Sequence, residues 1–258
     1  MGISTFAALA LAPCGWGETP AAPAPEPAKA PEKPLDVKEL VKHLGGDDYA
    51  IGEIRFNRAT KEVKLPGVLN MTDGLIEYVL VHEDGKTHEG LLTSPAGPFE
   101  LNVALLLCGY KPDAWMFQQE GGDPPPKQIL AHAAGMKTSL ATVDVTWEID
   151  GKPITKPVES LVETRDPETG KKESITAREW VFTGSYLYEG DFMAELDGSF
   201  VSLRSDKSAL FNNPRRGYES DEIWFPATDN MPAEGTKVEI VIKPAVYSSK
   251  EKQSNPKS

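Results

Sequence analysis

The sequence predicts a β-dominated α+β fold: antiparallel hairpins arranged around one buried apolar helix at residues 99–108. Three observations carry this. Apolar and polar residues alternate with period two, most cleanly where Val143, Val145, Trp147 and Ile149 interleave with Asp144, Thr146, Glu148 and Asp150. The chain holds 22 Gly and 22 Pro, a density of breaks that favours many short elements over a few long helices. Between Phe99 and Cys108 only Glu100 and Asn102 are polar, and a helix that apolar must be covered on nearly every side.

The elements follow in order. Residues 3–12, ISTFAALALA, form an uncharged apolar run. A transmembrane helix needs about 20 such residues, so the run fits the hydrophobic part of a secretory signal, and residues 1–17 are read as an export segment. Leu11-Ala12-Pro13-Cys14 resembles a bacterial lipobox. It departs from that pattern at Pro13 and in having no Lys or Arg ahead of the run. The expectation is an exported protein of the periplasm or cell envelope, and a membrane tether, if present, runs through lipidation of Cys14. From Glu18 to Pro34 prolines fall at 20, 23, 25, 27, 31 and 34. Such a segment is extended at about 3.1 Å per residue, a spacer of about 50 Å; the alternative is a leader with no role. Apolar residues at 37, 40, 41 and 44 predict a short amphipathic helix over 35–44 that stops at Gly45-Gly46, with His43 on its surface. Residues 18–46 are thus tether and helix.

A single β-rich domain is expected over 47–244. Residues 51–56 and 61–65 pair across the Asn57–Thr60 loop, and Pro66-Gly67 ends the second strand. Leu75–His82 is apolar on both faces, as in a strand covered on both sides. Asp84-Gly85 predicts a two-residue hairpin that sets His82 opposite Thr87 and Val81 opposite His88. Pro98 suits the first turn of the apolar helix, and Gly109 its end. A helical excursion is expected at 127–134, and a turn at Asp150-Gly151. A strand follows over 180–187, and Phe192–Leu196 is expected to pair with Ser199–Leu203 across Asp197-Gly198. Val238, Ile240 and Ile242 close the domain. The polar tail 245–258 reads as disordered.

At this point the residues support a family. Ile51-Gly52-Glu53-Ile54, Val63–Gly67, Ile76–Val81, Lys86–Leu92 and Ala104–Gly109 resemble, in that order, segments of the YdjY-like domain family. Trp180–Ser185 and Gly235–Val238 resemble its later segments. The resemblance implies an exported or envelope-associated bacterial protein and no particular activity. Some relatives carry a ferredoxin-type label, which does not transfer. A cluster needs about four thiolates, and the chain has 2 cysteines, Cys14 and Cys108. No iron–sulfur cluster and no other cofactor is expected.

The balance of 39 acids against 27 bases gives a net charge of −12. That field repels phosphate, so nucleic acid is not an expected partner, and an anionic membrane surface is disfavoured. No HExxH, P-loop, G-x-S-x-G or EF-hand pattern is present. Two groups remain as candidate binding residues. His82, Thr87 and Glu89 share one face of the expected hairpin, either as a polar site or as a structural pair with His88 in the core. Tyr186 and Tyr188 share a face with Trp180 and Phe182; exposed, such a strip binds sugar or peptide, and buried it is core, the reading that fits Trp180 and Phe182 best and the two Tyr less. Arg215-Arg216 reads as a solvated pair in a turn, the alternative being a site for an anion. Three functions follow: a non-catalytic module binding an unknown protein or small molecule, a metal-dependent or acid–base enzyme using residues 82–89, or a purely structural envelope component.

Overall fold

The computed structural model describes residues 37–120, 122–175 and 179–245; the export segment, Cys14, the proline-rich tether and the tail from 246 lie outside them. Eight strands close into a barrel. In chain order they are β1 (Glu62–Leu69), β2 (Tyr78–His82), β3 (Gly90–Ser94), β4 (Leu140–Ile149), β5 (Trp180–Phe182), β6 (Ser199–Ser202), β7 (Phe211–Asn212) and β8 (Lys237–Pro244). Around the ring the order is β1, β8, β4, β5, β7, β6, β2, β3, and β3 returns to β1 through Val68↔Thr93 and Leu69↔Leu92. The expected set of hairpins is therefore corrected to a closed barrel. Alternation specifies strands but not their distant partners, and closure removes the exposed edges an open sheet would leave.

The β1 strand shows how one segment serves two neighbours. Its first half pairs with Ile54–Asn57, the hairpin expected from sequence, while its last two residues pair with β3. Pro66-Gly67 marks the switch between partners rather than the strand's end. A Cβ on Gly67 would lie 2.7 Å from Ile240 Cδ1 and 2.9 Å from the Thr93 carbonyl, so only glycine lets β3 approach. Ser94 Oγ donates to the Pro66 carbonyl at 2.7 Å and pins the junction. Ahead of it, among the described residues, Val37–Leu40 is helical and Lys42–Gly45 is a strand paired with Asp48–Ile51. The helix expected over 35–44 thus ends at Leu40, and its first two positions, 35 and 36, lie outside the described residues.

One continuous core joins Trp180, Phe182, Phe200, Phe211 and Trp224 to aliphatic residues such as Leu65, Val143, Val145 and Ile240. An eight-stranded barrel is just wide enough for side chains to fill. Helix α1 (Pro98–Leu107) lies where the sequence puts it, with Pro98 in its first turn. It buries Leu101, Val103, Ala104 and Leu105 against the Asp48–Asn57 strands and the short helix α3 (Met193–Asp197). Leu106 and Leu107 of its last turn are exposed, so it is a helix packed on one side, not a plug covered all round. Helix α2 (Pro126–Gly135) matches the excursion expected at 127–134.

Two of the expected turns resolve differently. Asp150-Gly151 forms its hairpin, both residues at positive φ (52° and 72°) as that turn requires, and Ile149 faces Lys152. At Asp197-Gly198 the chain instead ends α3, with Gly198 in the left-handed conformation (φ 64°, ψ 30°). Phe192–Leu196 therefore does not pair with Ser199–Leu203; β6 lies antiparallel to β2 and parallel to β7. An Asp-Gly pair suits a hairpin turn and a helix end alike, and the sequence alone does not separate them.

Candidate functional site

The β2 and β3 strands are parallel, with Tyr78 beside Gly90 and His82 beside Ser94. The expected 82–89 hairpin does not form. Residues 83–89 instead carry the chain back along β2, through a tight turn at Thr87–Glu89. The return works because Gly85 packs on Gly198: a Cβ on Gly198 would lie 2.9 Å from Gly85 Cα. A second connection, residues 203–210, joins β6 to the parallel β7. Tyr78, Val79, Leu80 and Val81 are all fully buried: Val79 and Leu80 belong to the core, and Tyr78 is met by both connections.

Between the connections lies a charged cluster. Tyr78 Oη donates to Asp206 Oδ2 at 2.9 Å and accepts from Lys86 Nζ at 2.8 Å. Lys86 Nζ also stands 3.9 Å from Asp206 Oδ2 and 4.9 Å from the centre of the Tyr78 ring. Asp206 is itself held, accepting from the Ser208 amide at 2.8 Å while its own amide donates to Asn212 Oδ1 at 2.9 Å. Burial pushes the Tyr78 phenol upward, and Asp206 adds to that. Burial works against the Lys86 ammonium, yet contact with Tyr78 and the carboxylates of Asp206 and Asp197 keeps it above its ordinary value. Beside this trio Arg204 pairs with Glu77. Burial raises the Glu77 carboxyl; Arg204 opposes that and the neighbouring Glu89 carboxyl reinforces it. Its contacts tie residues 86 and 206 of the two connections to Tyr78, so the cluster works first as a lock between two loops.

The sequence-derived residues are divided by this geometry. His82 sits at the end of β2, its Nδ1 accepting from the Asp84 amide at 3.2 Å. Thr87 accepts through its carbonyl from Asn70 Nδ2 at 2.6 Å. Glu89 lies at the opposite end of the strand from His82, where its carbonyl accepts from the Glu77 amide at 2.9 Å. His88, expected in the core, is exposed, with Nε2 3.5 Å from Glu89 Oε1. Among the described residues no group of three or more His, Cys, Asp or Glu side chains is placed to share a metal ion.

Tyr186 and Tyr188 are brought together, and with company. Leu187-Tyr188 and Asp191-Phe192 form a small hairpin turned at Glu189-Gly190, both at positive φ, and α3 follows directly. Trp180 and Phe182 are buried as expected, whereas Tyr186 is 43% exposed, Leu187 70%, Tyr188 59% and, on α3, Leu196 67%. The face is anchored rather than loose. Phe192 packs edge-on against Phe99 of α1 with centroids 6.0 Å apart, and Glu195 Oε2 accepts from the Phe99 amide at 2.8 Å.

The YdjY domain matches residues 54–243, most of the chain. The chain belongs to the YdjY domain family. No curated protein and no solved structure matches it.

The YdjY domain also holds polar groups that the sequence reading missed. Arg215 is not solvated: it is buried, its Nη2 2.7 Å from Glu159 Oε1 and its guanidinium 4.5 Å from the centre of the Trp180 ring. Trp180 Nε1 donates to the same Glu159 oxygen at 3.0 Å. Burial brings Arg215 down to about 10 even with Glu159 beside it. Arg216 alone is exposed. Near α2, Asp113 Oδ2 lies 3.1 Å from His132 Nε2, and the His132 ring stacks on Trp115 at 4.6 Å. A shallow cavity of about 240 Å³ opens nearby, lined by Met116, Phe117, Gln119, Asp123, Ser205 and Lys207. The one signal for the Glu159–Arg215 pair was an acid inside the apolar run Val158–Val162. Tyr78 and Asp206, 128 residues apart, left no signal at all.

Proposed function

We propose that this YdjY domain is an exported, non-catalytic protein-binding module of the cell envelope, and that Tyr186, Leu187, Tyr188 and Leu196 form its contact face. The observation that carries the reading is the concentration of exposed aromatic and aliphatic side chains on one rigidly anchored hairpin and helix. Exposed apolar patches of this kind mark interaction sites, and tyrosine is enriched in protein interfaces. A small-molecule reading has less support, because ligand sites usually enclose about 300–1,000 Å³ and the cavity near Lys207 falls short at about 240 Å³. The apolar run 3–12, Cys14 and the Pro-rich segment support export and tethering. A benzophenone side chain placed at residue 187 in the cell-envelope protein tests the face. A discrete adduct with another polypeptide is expected from 187 and none from the control position 168. No adduct, or the same adducts from both positions, overturns the reading.

A second reading, acid–base chemistry at Glu77 and Glu89, rests on the raised Glu77 carboxyl beside a second carboxyl. Turnover of a hydrolase substrate panel that Glu77→Gln abolishes without loss of fold supports it, and no turnover removes it.

A further inference from the structure

We propose that the segment received on the 186–196 face is cationic, an apolar stretch of a partner polypeptide flanked by Lys or Arg. The inference rests on the protein-binding reading and adds the partner's chemistry. From Trp180 to Leu203 the chain carries four acids, Glu189, Asp191, Glu195 and Asp197, and no Lys or Arg. Two of these are engaged: Glu195 accepts from the Phe99 amide, and Asp197 acts on Lys86. Glu189 and Asp191, at the exposed tip of the hairpin, are in no ion pair among the described residues. Uncompensated negative charge therefore borders Tyr188, which Glu189 follows in the chain and Asp191 faces across the hairpin.

Charge across an interface steers association and rejects partners of like sign. An apolar segment with basic flanks meets both parts of this surface: its centre covers the leucines and tyrosines, and its flanks reach Glu189 and Asp191. A second copy would set those acids against their own counterparts, between chains that each carry −12. An anionic lipid surface would meet the same repulsion. The exposed side chains leave room for a short segment, since the hairpin has two residue pairs and α3 only five residues.

Short fluorescent peptides with one Leu/Tyr-rich core and Lys, Ser or Glu flanks are titrated with the purified full chain, and anisotropy is read at low and at about 0.5 M salt. The Lys-flanked peptide is expected to bind at least about tenfold more tightly than the Ser-flanked one at low salt, and the preference to shrink at high salt. Glu189→Gln with Asp191→Asn removes the preference while leaving Ser-flanked binding unchanged, and Leu187→Ser abolishes binding of all three. Equal binding of Lys- and Ser-flanked peptides overturns the cationic assignment and leaves the protein-binding reading in place. No peptide binding, with the adduct at 187 intact, does the same. Loss of peptide binding and adduct together overturns both. A dimer in sedimentation that Leu187→Ser dissolves, binding to anionic vesicles, or a cross-link mapping to residues 1–36 of the same chain would replace the proposed occupant and overturn the assignment.

Discussion

At the scale of single residues, the buried polar contacts give the sharpest expectations. Arg215→Ala leaves Glu159 charged under Trp180, and removing one member of a buried pair costs about 3–5 kcal/mol; urea unfolding should show that loss. Tyr78→Phe removes the hydroxyl that bonds both Lys86 and Asp206, leaving those two with their own longer contact and the Ser208 amide, for an expected loss of about 1–3 kcal/mol. Glu77 has a definite sign. Its carboxyl is raised in the folded chain above the ordinary 4.5, so the native state holds its proton more tightly than the unfolded one. That contribution is complete below the ordinary value and is lost as pH rises through the folded one. Glu77→Gln should therefore flatten the part of the stability curve that falls just above pH 4.5, and an unchanged curve would contradict the assignment. None of these contacts was legible in the sequence. Tyr78 and Asp206 are 128 residues apart, Lys86 and Tyr78 meet across a connection whose course no pattern shows, and a lone acid in an apolar run announces burial without naming its partner.

Among the elements, strands with strict alternation were read well because one face of each is buried and register is then fixed. The β4 strand, its Asp150-Gly151 hairpin and the β8 strand all lie where periodicity puts them. The 82–89 segment failed for the opposite reason. Tyr78–Val81 and Gly90–Leu92 are apolar on both faces, so pattern gives no register, and the strong Asp84-Gly85 turn signal does not distinguish a reversal from a return along β2. Gly198 tests the alternative geometry. Its φ of 64° and its contact with Gly85 both require the absence of a side chain, so Gly198→Ala should destabilise by at least about 1–3 kcal/mol, measured by denaturant midpoint. A near-neutral result would mean that the two connections do not pack as described. Helix α1 was placed correctly but its surroundings were not, since the apolar residues of its last turn face solvent.

For the whole molecule, the sequence pointed to the α+β class and to the YdjY family, while ring closure depended on pairings such as Val68↔Thr93 that no local pattern encodes. The candidate site was legible only in part. Tyr186 and Tyr188 stand together on the surface, whereas His82 and Glu89 stand at opposite ends of one strand. The central claim is that the 186–196 face is exposed for a partner and contributes little to folding. Replacing exposed apolar side chains usually changes stability by less than about 0.5 kcal/mol. The direct test is the yield of the 187-centred cross-link in a Leu196→Ser, Tyr188→Ser background, read beside the urea midpoint of the same protein. The account predicts an unchanged midpoint and a lost adduct. A retained adduct, or a midpoint that collapses with it, would contradict the account.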